Sequence, residues 1–172
     1  FSGGYPFAPN STVQMDISGT KFDLFSEHDK RIEIIKFINE RDIMISGSIE
    51  GMVIVWNVMD MRVTYKLLEH MGSITDIGLV RYPNERWDNV LTASKDGSIR
   101  IWDIEVGRSV DILMSKKNEV LFIRRLTGIK GIKGEIWMAV TNTEEVIFYE
   151  MVRRRGELWV LIRTVVSSFH VF

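Results

Sequence analysis

Imidazole is both a common metal ligand and a base near neutral pH, so histidines are the first place to look for chemistry in this chain. His28, His70 and His170 lie far apart in the sequence. None forms the close pair that a sequence-local metal site needs. There is no cysteine, which excludes thiolate zinc sites, a cysteine nucleophile and a disulfide framework. Gly128, Gly131 and Gly134 punctuate TGIKGIKG without the strand-then-helix setting in which glycine-rich loops cradle phosphate, so a surface loop is expected there. Neither a metal nor any other cofactor is expected. Basic side chains are the other candidates: Arg124, Arg125, Lys130, Lys133, Arg153, Arg154 and Arg155, together with Lys116 and Lys117, crowd the C-terminal part of a chain whose formal net charge is only −1. Such a patch could hold the phosphate of a lipid or a nucleic acid. The plainer expectation is a solvated face, with Arg153 to Arg155 forming a polar turn.

The elements that would position these groups come from a chain of 172 residues, 45% of them hydrophobic, which is enough to bury a core. No apolar run approaches the roughly 20 residues of a membrane span, and the N-terminus lacks the basic-then-apolar layout of a signal peptide. The cysteine-free composition permits an intracellular location, cytoplasmic or nuclear, and that is the expected compartment. The chain starts with Phe1 rather than Met and is expected to be part of a longer protein.

The stretch DNVLTASKDGSIRIWDIEVGR, Asp88 to Arg108, reads as two short strands joined at Asp96-Gly97. Asp-Gly suits a two-residue hairpin loop, where both central residues take positive φ. Upstream, SGSIEGMVIVWN falls onto TASKDGSIRIWD without a gap, so that Glu50-Gly51 meets Asp96-Gly97 and Trp56 meets Trp102. Strands are expected at Ile32 to Phe37, Asp42 to Ser48, Met52 to Val58 and Arg62 to Leu67. They recur at Ile74 to Val80, Asn89 to Ser94, Ser98 to Ile104 and Ser109 to Met114. A looser copy is expected at Glu119 to Leu126, Glu135 to Thr141, Glu145 to Met151 and Glu157 to Val165, and two strands, Ser11 to Ile17 and Lys21 to Phe25, come before all of these. Met52 to Val58 is apolar on both faces, which implies a sheet covered on both sides.

These segments resemble WD repeats. Trp102-Asp103 stands at the signature dipeptide, with Trp56-Asn57, Met15-Asp16 and Tyr149-Glu150 in the corresponding places. His28 and His70 precede the first strands 42 residues apart, within the roughly 40 to 45 residues of this repeat. The resemblance implies an all-β fold: a WD-repeat β-propeller with about four four-stranded blades present, part of a larger ring. Residues 1–27 would be a partial blade, 28–67 and 68–114 full blades, 115–166 a divergent blade and 167–172 the start of another or a tail. Closed rings of roughly seven blades leave no apolar sheet face bare, so further blades are expected from outside these residues.

In that family a histidine before the first strand, a hydroxyl in the second, a turn aspartate and the third-strand tryptophan form a buried hydrogen-bonded brace. His70, Thr92 or Ser94, Asp96 and Trp102 match these positions, as do His28, Ser46 or Ser48, Glu50 and Trp56. Ser94 and Ser48 are taken as the hydroxyls. Glu50 is longer than aspartate by a methylene, so a looser or absent brace is expected in its blade, as it is where Met15 and Tyr149 replace tryptophan. Imidazole, carboxylate and hydroxyl together also look like a catalytic triad, but a set that recurs from blade to blade behaves as a structural part. No catalytic residues are expected.

The resemblance further implies a scaffold that binds protein partners in a multi-protein complex, with no small-molecule substrate. Candidate contacts are Ile49 and Lys95, just before the turn carboxylates, and Lys30, Arg31 and Ser73 in the loops that lead into the first strands. The alternative is phosphoinositide-membrane or nucleic-acid binding through the basic segment. There FIRRLTG resembles the Phe-Arg-Arg-Gly motif of phosphoinositide-binding propellers, except that two residues separate the arginines from Gly128. Trp102→Ala is expected to destabilise the protein by roughly 3–5 kcal/mol, as truncation of a large core aromatic does; an unchanged melting temperature would contradict this.

Overall fold

The computed structural model describes the backbone of residues 11–17, 20–38, 41–80, 89–114, 118–127, 134–154 and 157–167, and, within 27–152 of that set, all side chains but that of Met114. Fourteen strands are present among these residues. A two-stranded sheet pairs β1 (Ser11–Ile17) with β2 (Thr20–His28). Three four-stranded antiparallel sheets follow, each pairing strands in chain order. The first contains β3 (Ile32–Ile38), β4 (Ile43–Ser48), β5 (Val53–Asn57) and β6 (Arg62–Leu67). The second contains β7 (Ile74–Val80), β8 (Asn89–Ser94), β9 (Ser98–Asp103) and β10 (Arg108–Met114). The third contains β11 (Val120–Leu126), β12 (Glu135–Thr141), β13 (Glu145–Arg154) and β14 (Glu157–Ser167).

Short turns between β-rich runs make each sheet a meander, and the lack of a polar face makes the sheets stack. Val53, Ile54, Val55 and Trp56 are all buried although they point alternately to opposite sides of β5. One core lies between the first and second sheets, where Ile45, Val53 and Val55 meet Ile74, Val90 and Trp102. Another lies between the second and third, where Leu91, Ile99 and Ile101 meet Ile123, Trp137 and Tyr149. The far side of the first sheet buries Met44, Ile54 and Trp56. β7 lies against β3 on one side and β11 on the other, which makes the first strand of each four-stranded sheet the inner one.

Polar ties join the sheets as well. Asp76 on β7 is buried, accepts the Ile123 N–H at 3.1 Å and pairs with Arg124 on β11. Thr75 donates its hydroxyl to the Val120 carbonyl at 2.7 Å. Between the first and second sheets, Tyr65 donates to the Glu105 carbonyl at 2.8 Å and Arg41 pairs with the Glu105 carboxylate at 2.5 Å.

Three expectations need correcting. Asp96-Gly97 is not a two-residue loop with two positive φ values: the last cross-strand pair is Ala93 with Ile99, and only Gly97 is left-handed, at φ 84°. Extra loop length leaves the Asp96 carboxylate free to accept the Ser98 N–H at 2.8 Å. Arg153 and Arg154 do not form a turn but continue β13, paired with Leu158 and Glu157. β2 runs to His28, past the expected end at Phe25. Lys116, Lys117, Lys130, Lys133 and Arg155 lie outside the described residues.

The turn between second and third strands takes a left-handed residue in every four-stranded sheet: Gly51 at φ 94°, Gly97 at 84° and Glu144 at 62°. Glycine accepts this conformation freely, whereas a residue with a Cβ is strained by about 1–2 kcal/mol. Glu144→Gly is therefore expected to raise stability by about 0.5–1 kcal/mol, after the unfolded chain's added freedom is discounted. Urea unfolding measures it, and a lowered midpoint would contradict it.

Candidate functional site

Trp102 lies opposite Val90, and its indole reaches the diagonal neighbour two residues further along β8, which is Thr92. The indole N–H donates to Thr92 Oγ1 at 2.8 Å. Indole nitrogen can only donate, so Thr92 turns its own hydrogen toward His70 Nε2, 2.7 Å away. That choice places the imidazole hydrogen on Nδ1, facing Asp96 Oδ2 at 2.8 Å. Asp96 also accepts from the Ser98 hydroxyl at 2.6 Å and the Met71 N–H at 2.9 Å. Burial pushes the Asp96 carboxyl up, but hydrogen bonds from Ser98, Met71 and His70 outweigh it and hold the group down at about 2. Burial holds His70 below its ordinary value despite the Asp96 bond and charge.

The hydroxyl in this set is therefore Thr92 and not Ser94. Both lie on one face of β8, two residues apart, and only the register decides which meets the indole. Ser94 Oγ works one step nearer the turn, donating to the Gly72 carbonyl at 2.8 Å and accepting the Asp96 N–H at 3.1 Å.

The first four-stranded sheet needs the same correction. Trp56 Nε1 donates to Ser46 Oγ at 2.7 Å, and Ser46 meets His28 Nε2 at 2.6 Å. Ser48 instead accepts the Met52 N–H at 3.2 Å. Glu50 is exposed and makes no bond to His28, whose buried Nδ1 has no partner among the described residues. In the third sheet Ala139 stands where the bridging hydroxyl would be, Thr143 replaces the aspartate and Tyr149 replaces the tryptophan. Burial raises the Tyr149 phenol to about 12.

These groups have the composition of a triad, but Thr92 is fully buried and its oxygen is already engaged by indole and imidazole. A nucleophile needs an open approach to the reacting atom. Among the described residues no group of three metal-binding side chains converges.

The residues expected to meet partners come together at one end of the strands. Ile49 N–H donates to the Arg31 carbonyl at 2.9 Å, Lys95 N–H to the Ser73 carbonyl at 2.9 Å, and Asn142 N–H to the Glu119 carbonyl at 3.0 Å. Each four-stranded sheet thus ties its turn to the loop leading into its first strand. Ile49, Lys95, Lys30 and Arg31 are exposed and Ser73 is half-buried; Arg31 pairs with Glu33. Met71, 91% exposed in the same loop as Ser73, was not among the expected contacts. A large apolar residue beside a brace histidine was the available signal.

Of the basic candidates, Arg124 pairs with Asp76, and Arg125 pairs with Glu135 at 3.1 Å. Arg153 and Arg154 have described backbone only, and Lys130, Lys133 and Arg155 lie outside the described residues.

Comparisons with known proteins agree with this geometry. Residues 61–103 match the family described as "WD domain, G-beta repeat". Eukaryotic translation initiation factor 3 subunit I of Homo sapiens is 28% identical over 92 residues, which cover 52% of this chain and 26% of that protein. Cell division control protein 4 of Saccharomyces cerevisiae is 39% identical over 64 residues, 37% of this chain and 8% of that protein. The chain thus spans about a quarter, or less, of these curated relatives. Among solved structures, the Myceliophteria thermophila Cps50 (Swd1) β-propeller domain superposes with TM-score 0.59 at 18% identity, over 77% of this chain and 39% of that one. The computationally designed Ika4 protein superposes with TM-score 0.55 at 23% identity, over 72% and 68%. Both likenesses concern the fold.

His28 generates a pH test. Burial first, and the Lys66 charge second, lower it to about 4, against the weaker pull of Asp29. Between about pH 4 and the ordinary value of 6.5 the unfolded chain binds more protons than the folded one, so stability rises with pH there. Acidification from about pH 7.5 to 5 is expected to remove roughly 2 kcal/mol through this group, and His28→Gln to flatten that part of the slope. Urea unfolding across this range measures both; a wild-type profile with no fall would contradict the assignment.

Proposed function

We propose that this chain, an array of WD-repeat β-propeller blades, is a non-catalytic scaffold that binds other proteins within a multi-protein complex. The observation that carries this reading is the repeated tie between turn and leading loop, which fixes Ile49 beside Arg31 and Lys95 beside Ser73 on one rim. Rigid backbone with exposed, mixed apolar and basic side chains is what a protein-docking surface requires. Ile49, Met71 and Leu68 supply apolar area, and Lys30, Arg31 and Lys95 supply charge at its margin. A relative named as a subunit of translation initiation factor 3 supports the role in an assembly. The closed Thr92 hydroxyl argues against a catalytic role for the polar set. We place the protein inside the cell, in cytoplasm or nucleus, as its matched relatives' names suggest.

Binding of lipid or nucleic acid through the basic segment is less favoured, because Arg124 and Arg125 each already face a carboxylate. The two readings separate by salt, since phosphate contacts are screened and an apolar interface is not. Affinity capture of the full-length protein from cell extract, washed at low and high salt, is expected to retain proteins in both washes. Ile49→Asp and Lys95→Glu together are expected to reduce that retention at least about tenfold without changing the melting temperature. Retention unaffected by the rim variant, or lost in salt together with lipid or nucleic acid, would refute the proposal.

A further inference from the structure

The inner strands carry a second surface, distinct from the rim turns. Their pairing registers align Ile32, Ile74 and Val120, and hence Lys36, Gly78 and Arg124, at one level of β3, β7 and β11. Two cations thus flank a position with no side chain. The edge of Trp137, from β12, fills the place of a Gly78 Cβ, which would lie 2.5 Å from the ring. A cavity of about 350 Å³ opens there, lined by Lys36, Leu79, Arg124, Arg125 and Trp137, with Ile77 and Ile123 completing its apolar wall.

The charges around this cavity are unequal. Lys36 is exposed and has no hydrogen bond or ion pair among the described residues. Arg124 bonds Asp76 and the Ile123 carbonyl through Nη1, while its guanidinium lies 5.2 Å from the Phe122 ring centroid and its side chain stays 59% exposed. Arg125 is paired with Glu135. Among the described residues that line it, two of the three cations are therefore offset, leaving one net positive charge. One positive charge suits a carboxylate better than a phosphate dianion, and the aromatic and aliphatic wall suits an apolar group attached to it.

We propose that this cavity binds a peptide carboxylate carried beside an apolar side chain, with the carboxylate between Lys36 and Arg124 and the apolar group against Trp137. The site does not depend on the rim reading, because none of its lining residues belongs to the rim. Two sources share this chemistry: the C-terminal residue of a partner chain, and an Asp or Glu flanked by apolar residues.

The test uses the full-length protein labelled with 5-fluorotryptophan, with the Trp137 resonance assigned through Trp137→Phe. N-acetyl-leucine represents a chain terminus, and acetyl-Leu-Glu-Leu-amide an internal acid. Saturable movement of the Trp137 resonance by either peptide is expected, and the tighter binder identifies the source. N-acetyl-leucine amide, which lacks the charge, is expected to bind at least about tenfold more weakly, as is the better acid to Lys36→Met, since a charge-assisted hydrogen bond is lost in each case. No movement with either acid, equal binding of the neutral amide, or no effect of Lys36→Met would overturn the proposal. Tighter binding of inorganic phosphate than of either acid would overturn the carboxylate assignment. A salt-resistant partner lost with the rim variant but kept in Lys36→Met would leave the rim reading standing whatever happens here.

Discussion

A buried indole N–H has no water to bond, and leaving it unpaired would cost on the order of 1–3 kcal/mol. In the second four-stranded sheet that single constraint propagates. Trp102 takes Thr92, Thr92 takes His70, His70 takes Asp96, and Asp96 takes the backbone of Met71 and Ser98. The network therefore runs from the interior of the sheet to the turn and the leading loop. The same loop residues fix Ser73 against Lys95. A polar requirement inside the sheet thus shapes the surface offered to partners.

The sheets satisfy this constraint to different degrees. With Glu50 at the turn, the first sheet keeps the indole–hydroxyl–imidazole part and loses the carboxylate, which leaves His28 Nδ1 without a partner among the described residues. The third sheet lacks both the hydroxyl, at Ala139, and the indole, at Tyr149, so the indole–hydroxyl bond is lost with both its members. It is tied to its neighbour differently, through Asp76 to the Ile123 N–H and Arg124. Among the described residues only His28 Nδ1 and Arg100 Nε are buried side-chain polar atoms without a partner, and no single set of residues is required to pair the rest. Stacking carries the three sheets through this variation, since their apolar faces are buried against each other in every case.

Much of the fold was legible in the residues. Turn residues at regular spacing marked the strands, and β4, β8 and β12 end close to where glycine, asparagine and aspartate punctuate the chain. The both-faced apolar run of β5 announced that sheets lie on either side. Strand ends were less legible where pairing overrides composition. The run Arg153-Arg154 looks like a turn, yet β14 supplies Leu158 and Glu157 as partners and carries β13 onward.

The sequence by itself determined the repeat, the meander order and which residue types could form the polar sets, because these follow from local pattern and spacing. Only the tertiary structure decided which hydroxyl each indole meets. Thr92 and Ser94, like Ser46 and Ser48, share a face two residues apart, and the cross-strand register selects one of each pair. It also decided that Asp76 joins two sheets, that Arg124 and Arg125 face carboxylates, and that Lys36, Gly78 and Arg124 stand at one level. Apart from Arg125 and Glu135, which face each other across one strand pair, those groups lie dozens of residues apart in the chain. Local pattern cannot convey which distant strands stack, because stacking depends on the summed burial of whole sheet faces.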